Sequence, residues 1–442
     1  MATDPAGTRV PAHSPALAND LAGRSPNKLL RLTSVLIVFL ACAYAGNMRA
    51  AEIHAPFRVE VASWFGNAAL LDLMKSQLDS PTLLKECCKS LAVFAMDPLN
   101  VHHILSLGGA NLVLEVMRMH SGDANLQASA CEALSLFASD PLGNRKLVFL
   151  NSPRSVVTAM KSHPTVLEVQ SHCCGVLLNM AAINDGGGKA AVADADGAAT
   201  IVDAMRLHPQ SEELQADGCG ALANLASDLQ ICQQLPNVSA EAVLTAMQAY
   251  PQAVSVQHRG CGALYSFALH PDKQQLLAAA GGIEAVLRAM REHRGAAGLQ
   301  KDACGALSSL AANNTNATQQ AAQLGALEDV LQAMGEHASE VAVLHEGCGA
   351  LANLAQDAGS RKKIATLGGP TVLLTTLSES IQNARLQEPC CGALYNMAAD
   401  SDVRREMHLQ VSLSGPRWLL AHGGANGKGA GWCERLLQRL EG

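Results

Sequence analysis

Apolar residues recur along this chain at helical spacing, and the pattern breaks and restarts with a period of about 43 residues. One unit shows it well. Thr200-Ile-Val-Asp-Ala-Met205-Arg-Leu-His208-Pro209 carries apolar side chains at intervals of three and four, and it stops at a proline that cannot continue a helix from within. After a short polar link, Leu214, Cys219, Leu222, Leu225 and Ala226 form a second apolar stripe of period 3.6. Shorter amphipathic stretches follow elsewhere, as in Asn144-Arg-Lys-Leu-Val-Phe149 and Ser360-Arg-Lys-Lys-Ile-Ala365. Glycine pairs close several units, at Gly108-Gly109, Gly281-Gly282 and Gly368-Gly369, where a helix C-terminal cap is expected. The spacing therefore predicts three helices per unit.

The unit is fixed by two columns in constant phase. Cys88, Cys131, Cys174, Cys219, Cys261, Cys304, Cys348, Cys391 and Cys433 follow one another at 42 to 45 residues. Fourteen residues upstream of each stands Met74, Met117, Met160, Met205, Met247, Met290, Met334, Leu377 or Leu419. A repeat of this length with three helices is an α-solenoid pattern, in which each unit buries its apolar face only against its neighbours. HEAT repeats are the alternative, and the extra short helix counts against them. The expected fold class is all-α, a right-handed superhelix of about nine such repeats. The expected divisions are a disordered leader over 1–27, a degenerate capping repeat over 28–65, eight repeats over 66–415 and a shortened C-terminal cap over 416–442.

The tracts Cys219-Gly-Ala-Leu-Ala-Asn-Leu-Ala226, Cys304-Gly-Ala-Leu-Ser-Ser-Leu-Ala311, Cys348-Gly-Ala-Leu-Ala-Asn-Leu-Ala355 and Cys391-Gly-Ala-Leu-Tyr-Asn-Met-Ala398 resemble the third helix of armadillo repeats. The resemblance covers roughly residues 66 to 440. It implies a concave groove lined by third helices, in which an Asn late in the helix hydrogen-bonds the backbone of an extended peptide. The matching column here, five residues after each cysteine, reads Val93, Leu136, Asn179, Asn224, Ser266, Ser309, Asn353 and Asn396. Asn179, Asn224, Ser266, Ser309, Asn353 and Asn396 are thus the candidate groove contacts, since a side-chain amide offers both a donor and an acceptor to a peptide. The alternative is that these residues bond their own helix or the next loop. Tyr265 and Tyr395, one residue earlier, are candidate side-chain anchors. In importin-alpha-like armadillo proteins a Trp lies one turn before the Asn; here that column is Gly175, Gly220, Gly262, Gly305, Gly349 and Gly392, which argues against nuclear-signal recognition.

Composition narrows the function. The net charge is −7, so a phosphate-neutralising surface is not supplied overall and nucleic acid is not an expected partner. The expected partner is a protein offering an extended or disordered segment, bound by a monomeric scaffold or adaptor with no enzymatic activity, no cofactor and no metal. Enzyme motifs are absent: Gly186-Gly-Gly-Lys189 is followed by Ala190 and lacks the first glycine of a phosphate loop. His120, His163, His208, His293, His337 and His422 recur once per repeat, which suits helix C-termini better than a converging metal site. Asp97, Asp140, Asp228, Asp357 and Asp400 read as helix N-caps or as an acidic rim.

Two expectations concern compartment. Equivalent residues of stacked helices were placed about one packing distance apart, ~8–10 Å, beyond the ~7 Å limit for a disulfide. The cysteine column is therefore expected to be free thiols in a reducing compartment, and the location cytoplasmic. Residues 32–46 are the most apolar run. They fit a capping helix, a signal or membrane anchor spanning 29–46, or an organelle-targeting leader, and a membrane enters only through them.

Overall fold

The computed structural model describes residues 66–183, 187–379, 383–413 and 430–441. The leader, the first cap and the segment carrying Leu419 and His422 lie outside these residues, as does the apolar run 29–46. Every described element is a helix. The chain divides into two compact units, Met1–Gly143 and Asn144–Gly442.

The first unit holds α1 (Asn67–Ser76), α2 (Pro81–Phe94), α3 (Pro98–Ser106), α4 (Gly109–Met119) and α5 (Ala124–Ser139); the division falls inside α6 (Pro141–Phe149). Its long helices α2 and α5 pack on each other through Leu84, Leu91, Leu126, Leu134 and Phe137, all fully buried.

The second unit continues with α7 (Ser152–Ser162), α8 (Leu167–Ala182), α9 (Gly188–Asp194), α10 (Gly197–Leu207), α11 (Glu212–Ala226) and α12 (Leu229–Gln234). Then come α13 (Asn237–Ala249), α14 (Val254–Ala268), α15 (Pro271–Ala279), α16 (Gly282–Glu292), α17 (Ala297–Ala311) and α18 (Thr315–Gln323). The last are α19 (Ala326–Glu336), α20 (Val341–Leu354), α21 (Ala358–Thr366), α22 (Gly369–Glu379), α23 (Ala384–Met397), α24 (Ser401–Leu413) and α25 (Ala430–Glu441). Where all three are described, each repeat is a short, a medium and a long helix, as the spacing predicts. The long third helices α8, α11, α14, α17, α20, α23 and α25 each pack on the next, which defines an all-α solenoid.

Local chemistry sets each joint. Asp97, Asp228, Asp357 and Asp400 accept backbone N–H groups at the start of the short helices, and Asp140 does the same for α6. Between the short and the medium helix most repeats, though not the junction at Leu235-Pro236 with φ −62° and −65°, pass through the left-handed region. Gly108, Gly281, Gly325 and Gly368 do so with φ between 81° and 92°. Asn151 and Asp196 take the same conformation in two repeats without glycine, at φ 52° and 64°.

The methionine and cysteine columns form the core. Met117, Met160, Met205, Met247, Met290 and Met334 are at most 3% exposed. Met205, Met247 and Met334 lie against Gly218, Gly260 and Gly347, where a Cβ would come within 2.6 Å of methionine side-chain atoms. A buried glutamine four residues before the cysteine, which the sequence reading overlooked, closes the medium helix. Gln215 donates to the Met205 and His208 carbonyls at 2.8 and 3.2 Å, and Gln127, Gln170, Gln257 and Gln300 repeat the bond pair. The histidine column cross-braces repeats: Nε2 of His208, His293 and His337 lies 2.7 to 2.8 Å from carbonyls of Pro164, Pro251 and Arg294. A carbonyl only accepts, so Nε2 carries the proton. Where histidine is missing, the Tyr250 hydroxyl donates to the Pro209 carbonyl at 2.8 Å.

The expectation of unpaired cysteines is corrected by the structure. Cys348 is bonded to Cys390 and Cys391 to Cys433, with Cα atoms 4.9 and 5.1 Å apart. The error lay in equating the distance between helix axes with the distance between facing atoms. Each Cα stands ~2.3 Å off its axis, so directly facing Cα atoms of helices ~9 Å apart approach to about 5 Å. Around Cys348 the helix carries small residues, Gly347-Cys348-Gly349-Ala350, which permit such a close approach. Cys88, Cys174, Cys219, Cys261 and Cys304 remain free and buried. Burial pushes the Cys219 and Cys304 thiols up to about 12, so neither is a nucleophile near neutral pH. Cys131 and Cys173 are disulfide-bonded as well, and with cross-links in the column the argument for a reducing compartment loses its support.

The cross-links also shift the last repeat. Cys348 meets not its equivalent Cys391 but the residue before it, and Cys391 meets Cys433 by the same step. Cys433 therefore takes the place of Cys390, one residue out of the phase read from sequence.

Candidate functional site

Late in the third helices, half-exposed residues fall into a strip that recurs from α8 to α23. Four and five residues after the cysteine stand Leu178 and Asn179, Ala223 and Asn224, Tyr265 and Ser266, Ala352 and Asn353, and Tyr395 and Asn396, all half-buried. In α17 only Ser308 shares this exposure, because Ser309 is buried at 8%.

The asparagine amides are turned along the array. Asn224 Nδ2 donates to the Leu178 carbonyl at 3.3 Å, Asn353 Nδ2 to Ser308 O at 2.9 Å, and Asn396 Nδ2 to Ala352 O at 2.8 Å. Each ties its helix to the third helix one repeat earlier. The donor half of the amide is thereby engaged within the chain. Ser266 Oγ donates to Gly262 O of its own helix at 3.0 Å. Ser266 and Ser309 interrupt the amide series, so among the described residues no asparagine reaches back from α14 or α17.

At the end of the array an arginine takes the asparagine's place. Arg439 of α25 donates from Nη1 to the Tyr395 carbonyl at 2.9 Å, and its guanidinium carbon lies 3.8 Å from the centre of the Tyr395 ring. Trp432 packs edge-on against the same ring at 5.3 Å. Tyr395, an expected anchor, is therefore already covered by the chain's own last helix. Among the described residues no arginine or aromatic ring covers Tyr265: its ring edge lies over Gly305, where a Cβ would meet Cδ1 and Cε1 at 3.0 Å and Glu346 Oε2 at 3.2 Å.

Charged residues two and three positions before the cysteine border the strip. Asp217 pairs with Arg259 between α11 and α14, and His258 Nε2 meets Asp302 Oδ2 at 3.1 Å between α14 and α17. Lys301 adds a contact to Asp302 at 2.7 Å. Glu346 meets only the adjacent His345, at 3.4 Å, among the ion pairs of the described residues. Burial raises the Asp217 carboxyl, and Arg259 offsets this only in part. Burial works the same way on Asp302, but hydrogen bonds from His258 and Lys301 prevail and hold it below its ordinary value. Burial, and then the charges of Glu346 and Asp302, push the Tyr265 hydroxyl up. A tyrosine ring under negative potential is a place for a cation.

No family model matches this sequence, and no curated protein does. Among solved structures, one from work on a phosphorylation switch controlling the interaction between cadherin and beta-catenin is similar, with a TM-score of 0.61 at 13% identity. It covers 86% of this chain and 84% of that one. An engineered protein is 22% identical over 56% of this chain, with a TM-score of 0.49. The first likeness is to an armadillo protein, and it places this chain in the same class of all-α solenoid fold.

Among the described residues no helix is long and apolar enough to cross a membrane.

Proposed function

We propose that this chain is a non-enzymatic scaffold that holds a protein partner along the third-helix strip, with an extended or disordered segment of the partner lying across successive repeats. The observation that carries this reading is the recurrence of the same half-exposed positions, four and five residues after the cysteine, on the third helices from α8 to α23, with α17 keeping only the first of the two. A lattice of this kind matches extended chain, since repeats ~10 Å apart take about three residues each. The cadherin–beta-catenin structure supports it as a neighbour of the same fold that engages a protein.

The asparagines enter this reading through their acceptor oxygens, because the donors of Asn224, Asn353 and Asn396 serve the array. The test is photo-cross-linking with random peptides of roughly fifteen residues, long enough for five repeats. A benzoylphenylalanine at Ala352 should capture peptides selected by display on the full chain, and one at exposed Glu284 on α16 should not. Capture at Glu284 alone, or at both sites equally, overturns the strip as the binding face.

A further inference from the structure

This inference rests on the strip being the binding face, and it names the chemistry of the partner. We propose that the strip between α14, α17 and α20 takes an arginine side chain of the partner segment, stacked on Tyr265 and paired with Glu346.

The molecule displays the arrangement once already. Tyr265 and Tyr395 occupy the same position, four residues after Cys261 and Cys391. At Tyr395 the next third helix supplies Arg439, which stacks on the ring and binds the carbonyl of the same residue. At Tyr265 the next third helix supplies the buried Ser309 where α25 has Arg439, and Gly305 where α25 has Arg435. The position that a guanidinium fills at the end of the array is left to an outside group in its middle.

The surroundings fit that group. Glu346 Oε2 and the Tyr265 ring edge converge on one point above Gly305. Glu346 is 20% exposed, and its one ion-pair contact among the described residues is a histidine 47% exposed. Asp302, by contrast, already pairs with Lys301 at 2.7 Å and meets His258 at 3.1 Å. A carboxylate, an aromatic face and a floor without a side chain together select a flat cation that can both stack and form a fork of hydrogen bonds. Arginine does both, whereas a lysine ammonium is a point charge.

The chain has four tyrosines, so 3-fluorotyrosine incorporation into the full-length protein gives four fluorine resonances, assigned by Tyr→Phe variants. The probe is the blocked tripeptide acetyl-Ala-Arg-Ala-amide, with its neutral citrulline counterpart as control. The Tyr265 resonance should move saturably with the arginine peptide and not with citrulline. Glu346→Gln should weaken the response about tenfold or more while circular dichroism and the Tyr250 line stay unchanged. A Tyr265 line that stays fixed, responds to citrulline equally, or ignores Glu346→Gln overturns the assignment. So does a line whose position depends on protein concentration without peptide, which would seat a second copy's arginine there. Cross-linking from Ala352 separates the two readings: displayed peptides captured there without arginine leave the strip standing and remove this assignment.

Discussion

Gln300 holds two carbonyls with one amide. Its Nε2 closes the end of α16 by donating to Met290 and His293 at 2.9 and 3.0 Å, inside the core. Gln300→Leu keeps the apolar packing and strands the Met290 carbonyl, while the His293 carbonyl keeps the Ala296 N–H, so unfolding in denaturant should show a loss of about 1–3 kcal/mol. Leu84 and Leu344 stand at this position before Cys88 and Cys348, which shows that the array tolerates missing clamps. Asp302 is the residue to follow with pH. Its folded carboxyl titrates below the ordinary value, so its contribution is present above the unfolded value of about 3.9 and is lost as pH falls through the folded one. Asp302→Asn should therefore lower stability at neutral pH. The gap from wild type should close on acidification below about pH 4. A gap that widens in acid would reverse the sign and sink the assignment of Lys301 and His258 as its stabilisers.

At the scale of the helix, glycine divides into two kinds. Gly218 sits in α11 with a would-be Cβ 2.5 Å from Met205 Sδ and 2.7 Å from its Cγ, so the helix needs its absence to pack. Gly392 sits in α23 with nothing within 4 Å of that position. Gly392→Ala should raise stability by up to ~1 kcal/mol through helix propensity. Gly218→Ala should lower it by about 1–3 kcal/mol despite the same gain, because the methionine must move. Thermal melts of the two variants that shift the same way would refute the distinction. Signals of this local kind were what the sequence made legible. Asp97-Pro98 and Asp140-Pro141 announced their caps, and Gly108, Gly281 and Gly368 announced their left-handed turns, because each depends only on its own few residues. The glutamine clamp was equally regular at four residues before the cysteine, and it went unread because a polar side chain on a buried face needs a known partner to make sense. The direction of Asn224, Asn353 and Asn396 was hidden for a further reason: whether an amide points into the groove or back to the previous helix depends on the offset between helices. The same offset, one residue per step, decides that Cys348 meets Cys390 rather than Cys391.

Across the second unit as a whole, stability should be local, because each repeat touches only its neighbours and the free energy is a sum of repeat and interface contributions. The cross-links are placed to test that. Cys348–Cys390 joins α20 to α23, and Cys391–Cys433 joins α23 to α25, each closing 42 residues of chain. Loops of that length contribute about 4 kcal/mol each in the chain-entropy account, less whatever structure the unfolded repeats retain. The free thiols of α11, α14 and α17 add nothing of the kind. Reduction should therefore speed amide hydrogen exchange in α20, α23 and α25 and leave α11 and α14 at their original rates. Cys433→Ser isolates the last step: α25 should fray, and the Tyr395 ring should lose Arg439 and Trp432, while α20 stays protected by its own bond. Peptide mapping without reductant identifies the linkages of α20, α23 and α25 before the exchange is measured. If reduction instead accelerates exchange evenly from α11 to α25, the repeats unfold as one cooperative block. Nearest-neighbour additivity then fails for this array, and the cross-links of α20, α23 and α25 would govern the stability of α14 and the strip around Tyr265.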